Sequence, residues 1–265
     1  MSKVNYTDDF QKAVGLNMFL GMGNPNGQIL ILGKEAAIDT AVSKNQYERE
    51  IENNIKDWNN NIKHQTSFSD VANWIQTGYY NPLYPYKGQL NKVESRDKSG
   101  NIIRGKGGTS KTWYNYQKIS DCLFNAGKSS NDINFQEHFF ISELNQETAK
   151  YSQLIAKEKR EESIAKRVSL FETEFFRSFP VTIVAVGHYV RDFNINLESL
   201  FSVTYDATGS KKYSEGLKNE YLNIHFDNPQ NPKRLLIHTN QLSMASNDLV
   251  TRLGVICQSF LSQNT

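Results

Sequence analysis

The sequence predicts an α/β fold: a three-layer α/β/α arrangement around a central, mainly parallel four-stranded sheet, with residues 1–265 forming one domain. Three observations predict it. Short aliphatic runs rich in β-branched residues, at 29–32 and 181–186 among others, are bounded by Gly and Pro, as strands buried on both faces are. Polar stretches with apolar residues at helical intervals separate them. Strand, helix and strand in alternation require right-handed crossovers and parallel pairing.

Length and composition bound the function. A chain of 265 residues can bury a core without covalent staples. Cys122 and Cys257 lie far apart in apolar helical surroundings with no CxxC neighbour, so they read as buried thiols of a reducing compartment. No apolar run reaches the ~18 residues of a membrane span and no basic-then-apolar leader opens the chain, so a cytoplasmic protein without a membrane partner is expected. A formal net charge of +2 argues against nucleic-acid binding by bulk charge but allows a locally basic face. Lys87, Lys92, Arg96, Lys98, Arg104, Lys106 and Lys111 supply such a cluster, which reads equally as a solvated loop.

In chain order, Thr7 or Asp8 caps a first helix carrying Phe10 and Val14 and ending at Gly21 and Gly23. The first strand, Ile29-Leu30-Ile31-Leu32, stops at Gly33-Lys34-Glu35. Residues 44–63 form a solvated helix with a stripe of Tyr47, Ile51, Ile55 and Trp58. An irregular insertion follows at about 77–111, rich in prolines and tyrosines, including Tyr79, Tyr80 and Tyr84. Rings stack on bases and cations track phosphates, so this is a candidate nucleic-acid surface; the alternative is that its aromatics pack on their own domain. Trp113, Tyr116, Ile119 and Leu123 define a helix capped by Ser110 or Thr112. A second strand runs through Phe139-Phe140-Ile141 to Leu144-Asn145, and one or two charged helices span 147–178. The third strand closes at Gly187-His188. Phe193, Leu197, Leu200 and Phe201 suggest a short helix, and 221–226 an extra strand. Leu235-Leu236-Ile237 stops at His238, and a helix carrying Leu249, Leu253, Ile256 and Phe260 closes the chain.

Four strand tips therefore carry Lys34 and Glu35, Asn145, His188, and His238. In a parallel sheet all four face one edge, and ligands of open α/β sheets bind outside the carboxyl ends of the strands. Each residue has a plain alternative. Glu35 can pair with Lys34 or cap the following helix, Asn145 can simply terminate its strand, and His238 can be a hydrogen-bonded structural histidine.

The Gly33-Lys34-Glu35-Ala36 turn, the Leu144-Asn145 strand end and the His238-Thr239-Asn240-Gln241-Leu242-Ser243 loop, in this order, resemble the three active-site motifs of the uracil-DNA glycosylase-like superfamily. Family members carry Gly-Gln-Asp-Pro or Gly-Glu-Ala-Pro, then an Asn ending an inner strand, then His-Pro-Ser-Pro-Leu-Ser. Here Lys34 replaces the glutamine, Glu35 stands for the catalytic aspartate, and Thr239 and Gln241 stand where prolines are usual; His238, Leu242 and Ser243 match. The resemblance implies hydrolysis of the N-glycosidic bond of a flipped-out damaged or modified base, uracil or another modified pyrimidine. It implies Glu35 and His238 as catalytic residues and Asn145 at the base; Tyr79, Tyr80 and Tyr84 belong to the insertion, which lies outside the family's pattern, and are candidates for the base wall from their own composition. Lys34, Ser243, Leu242, Met244 and His188 would contact the backbone or form the wedge, His188 also reading as structural. DNA is the implied partner of a monomer. No cofactor is implied: two cysteines cannot hold an iron–sulfur cluster, and no spacing suggests a metal site.

The chemistry has an independent rationale. Breaking a base–deoxyribose bond builds positive charge on the sugar and negative charge on the base. A carboxylate stabilises the first and orients water, while an imidazole donates a hydrogen bond to the second. An amide offers one donor and one acceptor face to a base edge, and extrusion of the base needs a wall and a wedge. Two other readings remain open: a catalytically inactive DNA- or nucleotide-binding module of the same fold, and a small-molecule nucleoside N-hydrolase.

Overall fold

The four aliphatic runs form the middle of a larger sheet. The computed structural model describes residues 3–71, 80–85, 95–96, 99, 102–103, 110–128 and 131–264. Its strands are β1 (Met22–Gly23), β2 (Ile29–Gly33), β3 (Ser95–Arg96), β4 (Ile102–Ile103), β5 (Phe139–Glu143), β6 (Val181–Val184), β7 (Thr204–Asp206), β8 (Leu222–Phe226) and β9 (Leu235–Thr239). The main sheet runs β1-β5-β2-β6-β9-β8-β7. β2 pairs in parallel with β5 and β6, and β6 with β9. β1, β8 and β7 are antiparallel additions at the margins.

The fold class is α/β as expected, but the sheet is seven-stranded and mixed instead of four-stranded and mainly parallel. The extra strand expected at 221–226 is β8, while β1 and β7 are too short to show as aliphatic runs. β1 has two residues, β7 has three, and β8 alternates Leu222 and Ile224 with Asn223 and His225.

Side-chain alternation divides the core between two faces. Leu30, Leu32, Phe140 and Leu236 join Phe10, Trp58 and Phe175 on one face. Ile29, Ile31, Ile183 and Ile237 join Ile119 and Leu253 on the other. Each such side chain contributes roughly 1.5–3 kcal/mol when fully buried, which is why the central strands carry aliphatics at every position.

The helices are α1 (Asp8–Gly15), α2 (Lys44–Tyr47), α3 (Asn54–His64), α4 (Lys111–Phe124), α5 (Lys157–Phe171), α6 (Glu174–Arg177), α7 (Tyr189–Asp192), α8 (Leu197–Phe201), α9 (Ala207–Ser214) and α10 (Asn247–Asn264). Thr7 and Ser110 cap α1 and α4, each hydroxyl accepting from a backbone N–H at 3.2 Å. α1 stops at Gly15, short of Gly21 and Gly23, which instead lie beside β5 at φ +128° and +100°; a side chain at either would strike a backbone carbonyl of β5. α5 starts only at Lys157. Before it, the Asn145 Oδ1 accepts from Glu147 N at 3.0 Å and the Ser163 hydroxyl accepts from Gln146 N at 2.9 Å, which holds the chain out of a helix. α4 and α10 approach closely because Gly254 lies against Cys122; an added Cβ would sit 2.8 Å from the Cys122 Cβ. Among the described residues no helix is long and apolar enough to cross a membrane. Within the 77–111 insertion, β3 and β4 pair antiparallel. Tyr79 and most of the basic cluster lie outside the described residues.

Candidate active site

Glu35 sits just beyond β2, where the backbone ladder continues past the strands: Leu144 N donates to Gly33 O at 2.9 Å and Asn145 N to Lys34 O at 2.8 Å. The ladder fixes Asn145 beside the Glu35 turn. Three donors from separate segments then hold the carboxylate. The Tyr189 hydroxyl donates to Oε2 at 2.7 Å, Asn145 Nδ2 donates to the same oxygen at 3.3 Å, and the Ser152 hydroxyl donates to Oε1. Arg160 Nη1 donates to the Tyr189 oxygen at 3.3 Å, and the Lys34 ammonium lies 4.6 Å from the Tyr189 ring centroid. Burial pushes the Tyr189 phenol up to about 12, so it remains a donor at neutral pH. Burial also lowers the Lys34 ammonium, with the neighbouring Glu35 opposing.

Asn145 is 0 % exposed, and both ends of its amide are engaged, by Glu35 and by Glu147 N. It positions Glu35, and at this burial its amide is not accessible from solvent.

A second carboxyl lies close by. Glu143 ends β5 and packs directly over Gly33, where an added Cβ would displace its carboxyl group. Its Oε2 is enclosed without a hydrogen-bond partner among the described residues. Burial first, and the charge of Glu35 second, push this carboxyl up to about 8, with buried Arg167 opposing. Arg167 instead donates to Glu143 O at 2.9 Å, Ser142 Oγ at 3.0 Å and Phe19 O at 2.5 Å.

His238 occupies the other half of the rim, 8 % exposed. Its Nε2 lies 2.9 Å from Gly187 O and 3.1 Å from the Tyr221 hydroxyl, and its Nδ1 lies 3.3 Å from Asn223 Nδ2. A carbonyl only accepts, so the proton belongs on Nε2 and Nδ1 accepts from the Asn223 amide. Burial draws the imidazole down to about 4. His238 is therefore neutral at physiological pH.

Two cavities open on this half. One of about 440 Å³ is lined by Arg191, Tyr221, Asn223, His225 and His238; one of about 580 Å³ by Lys34, Lys218, Asn240, Gln241 and Met244. Gly187 and His188 line both, and Glu35 lines neither.

The structure thus brings Lys34, Glu35 and Asn145 together and sets His188 and His238 beside the cavities. Met244 is 80 % exposed, whereas Leu242 is 1 % exposed, packed in the core with its carbonyl accepting from Asn115 Nδ2 at 2.7 Å. Ser243 lies between them, half-buried. Of the expected tyrosine wall, Tyr79 lies outside the described residues, and Tyr80 and Tyr84 are packed into the protein. Tyr84 donates to Glu137 Oε1 at 2.7 Å, at the amino edge of the sheet opposite Glu35, and packs edge-on against Phe68. Tyr80 is buried, which raises its phenol well above the ordinary value. Both pack on their own domain because burying a ring outweighs exposing it.

Sequence reasoning missed Ser152, Arg160, Tyr189, Tyr221 and Asn223. Tyr189 follows the predicted tip Gly187-His188, and Asn223 occupies an outward position of an alternating strand; these were readable signals. Ser152 gives none, since it stands in a stretch whose pattern suggests helix. Among the described residues no group of three His, Cys, Asp or Glu side chains could hold a metal ion. No family model, curated protein or solved structure matches this chain.

Proposed function

We propose that this protein is a DNA glycosylase-like hydrolase that breaks the N-glycosidic bond of an extruded, damaged or modified pyrimidine such as uracil. The observation that carries the proposal is Glu35, a carboxylate held by Tyr189, Asn145 and Ser152 at the carboxyl edge of a parallel strand quartet. His238 projects on the sheet face that also bears Tyr189, two strands from β2, about 10 Å at the usual strand spacing. A fixed carboxylate stabilises the sugar cation and accepts a proton from attacking water. Neutral His238 turns its Nε2 hydrogen from the Gly187 carbonyl, which holds it in the free protein, to the developing charge on the base and does not transfer a proton, a role that an imidazole with a lowered pKa suits. Lys34, His188 and Ser243 meet the phosphodiester backbone, and Met244 fills the gap left by the extruded base.

DNAs that each carry one altered base are incubated with wild type, Glu35→Gln and His238→Ala, and abasic sites are revealed by alkali. Wild type is expected to cleave, and each substitution to slow cleavage at least ~100-fold. Undiminished activity of Glu35→Gln would remove the assignment. A second reading, an inert DNA-binding module, is favoured by one observation: both ring nitrogens of His238 already have partners in the chain. DNA binding without abasic product from any substrate would select it.

A further inference from the structure

We infer that the two cavities form one nucleotide site, with a pyrimidine base in the His238 cavity, its sugar over Gly187 and its phosphate in the Lys34 cavity, and that Asn223 reads the base. The substrate class rests on the proposed function; the binding itself does not.

Hydrogen-bond capacity supports this placement. Asn145 is fully buried and offers no accessible amide edge, whereas Asn223 lines the cavity and gives only one amide hydrogen, to His238 Nδ1. That contact pins the orientation of the amide, because Nδ1 carries a lone pair once Nε2 holds the proton. The Asn223 Oδ1 and second N–H remain without a partner among the described residues, on a residue that lines the cavity. A pinned acceptor–donor pair complements a pyrimidine edge that carries a ring N–H beside a carbonyl. The Tyr221 ring, set at 67° to His238 with centroids 5.1 Å apart, supplies an aromatic wall. A volume of about 440 Å³ also lies within the range of small-molecule pockets.

Gly187 joins the cavities. At φ +56° it favours glycine, and a side chain there would project between Gln241 N at 3.8 Å and Lys34 Cε at 3.9 Å, into the passage. Beyond it, Lys34, Lys218 and exposed His188 line one space, with Glu220 the carboxylate of that wall. Glu220 is already engaged: Ser246 N donates to Oε1 at 2.7 Å and the Ser246 hydroxyl donates to Oε2. The cavity therefore suits a phosphate.

The test uses 2′-deoxyuridine 5′-monophosphate, 2′-deoxyuridine and inorganic phosphate as probes of the full chain, with equilibrium binding followed by NMR. The monophosphate is expected to bind, about tenfold more weakly to Asn223→Leu, while Lys218→Ala weakens the monophosphate and leaves 2′-deoxyuridine unchanged. Asn223→Asp guards against a folding defect of the leucine variant. It is expected to raise the titration midpoint of His238 and to weaken the nucleotide. No binding of the monophosphate up to about 10 mM, or equal affinity in wild type and both Asn223 variants, overturns the inference, as does loss in Asn145→Ala without loss in Asn223→Leu. Binding through Asn223 without abasic product from any DNA would reject the glycosylase reading and leave this site standing. Abasic product with unaltered binding by the Asn223 variants would do the reverse.

Discussion

The two halves of the carboxyl rim are built differently. Around β2 and β5, polar side chains bond to one another: Asn145, Ser152 and Tyr189 all converge on Glu35. Around β6, β9 and β8 they border open space, with His238 and Asn223 lining a cavity. Each half also encloses a titratable group that desolvation neutralises, a carboxyl in one and an imidazole in the other. Glu143 keeps its proton up to about pH 8, while His238 gives its proton up above about pH 4. The closed half is thus suited to holding a charge in place and the open half to presenting neutral hydrogen-bonding groups to a ligand.

The largest expected effect tests the closed half. Glu35→Gln should slow abasic-site formation ~100- to 1000-fold in single-turnover assays, and His238→Ala about 100-fold. A larger effect at His238 than at Glu35 would move the chemistry to the open half.

Next is a pH effect of opposite sign at the two buried groups. Between the ordinary glutamate value of 4.5 and about 8, folded Glu143 binds more proton than its unfolded counterpart, so its contribution to stability falls as pH rises. Glu143→Gln should therefore gain on wild type across that window, by up to a few kcal/mol at about 1.4 kcal/mol per pKa unit. His238 has the reverse sign: the unfolded chain binds more proton between about 4 and 6.5, so stability is lost as pH falls through that range. Urea unfolding of wild type, Glu143→Gln and His238→Gln from pH 4 to 8 reads both slopes, and parallel curves for all three would dissolve the contrast.

A smaller effect separates positioning from binding. Tyr189→Phe removes one donor from Glu35 and should lower the single-turnover rate about tenfold, near 1.4 kcal/mol, while leaving the affinity for 2′-deoxyuridine 5′-monophosphate unchanged. The smallest lies away from the rim. Tyr84→Phe should cost about 1 kcal/mol of stability through its bond to Glu137 and leave cleavage rates unaltered. A rate loss there would place the 80–85 segment in the site after all.

Much of the architecture was legible in the sequence because parallel central strands are buried on both faces and so appear as unbroken aliphatic runs. β1 and β7 were not, being too short to show a period, and the missing helical start before Lys157 depends on tertiary bonds to Asn145 and Ser163. Of the site, the strand tips were readable because chain topology alone carries Glu35, Asn145, His188 and His238 to one edge. What each side chain touches was not. Asn145 looks the same in sequence whether it faces a ligand or Glu35, and Leu242 and Met244 differ by 1 % against 80 % exposure though only two positions apart.

The clamp between Glu220 and Ser246 bears on the entropy of association. It ties the segment before β8 to the start of the 18-residue helix α10, so two walls of the Lys34 cavity are fixed to one another before any ligand arrives. Ordering a mobile side chain on association typically costs about 0.5–1.5 kcal/mol, and walls already immobilised avoid that charge. Cutting the clamp, as in Ser246→Ala, would therefore weaken phosphate-bearing ligands without removing a single atom that touches them.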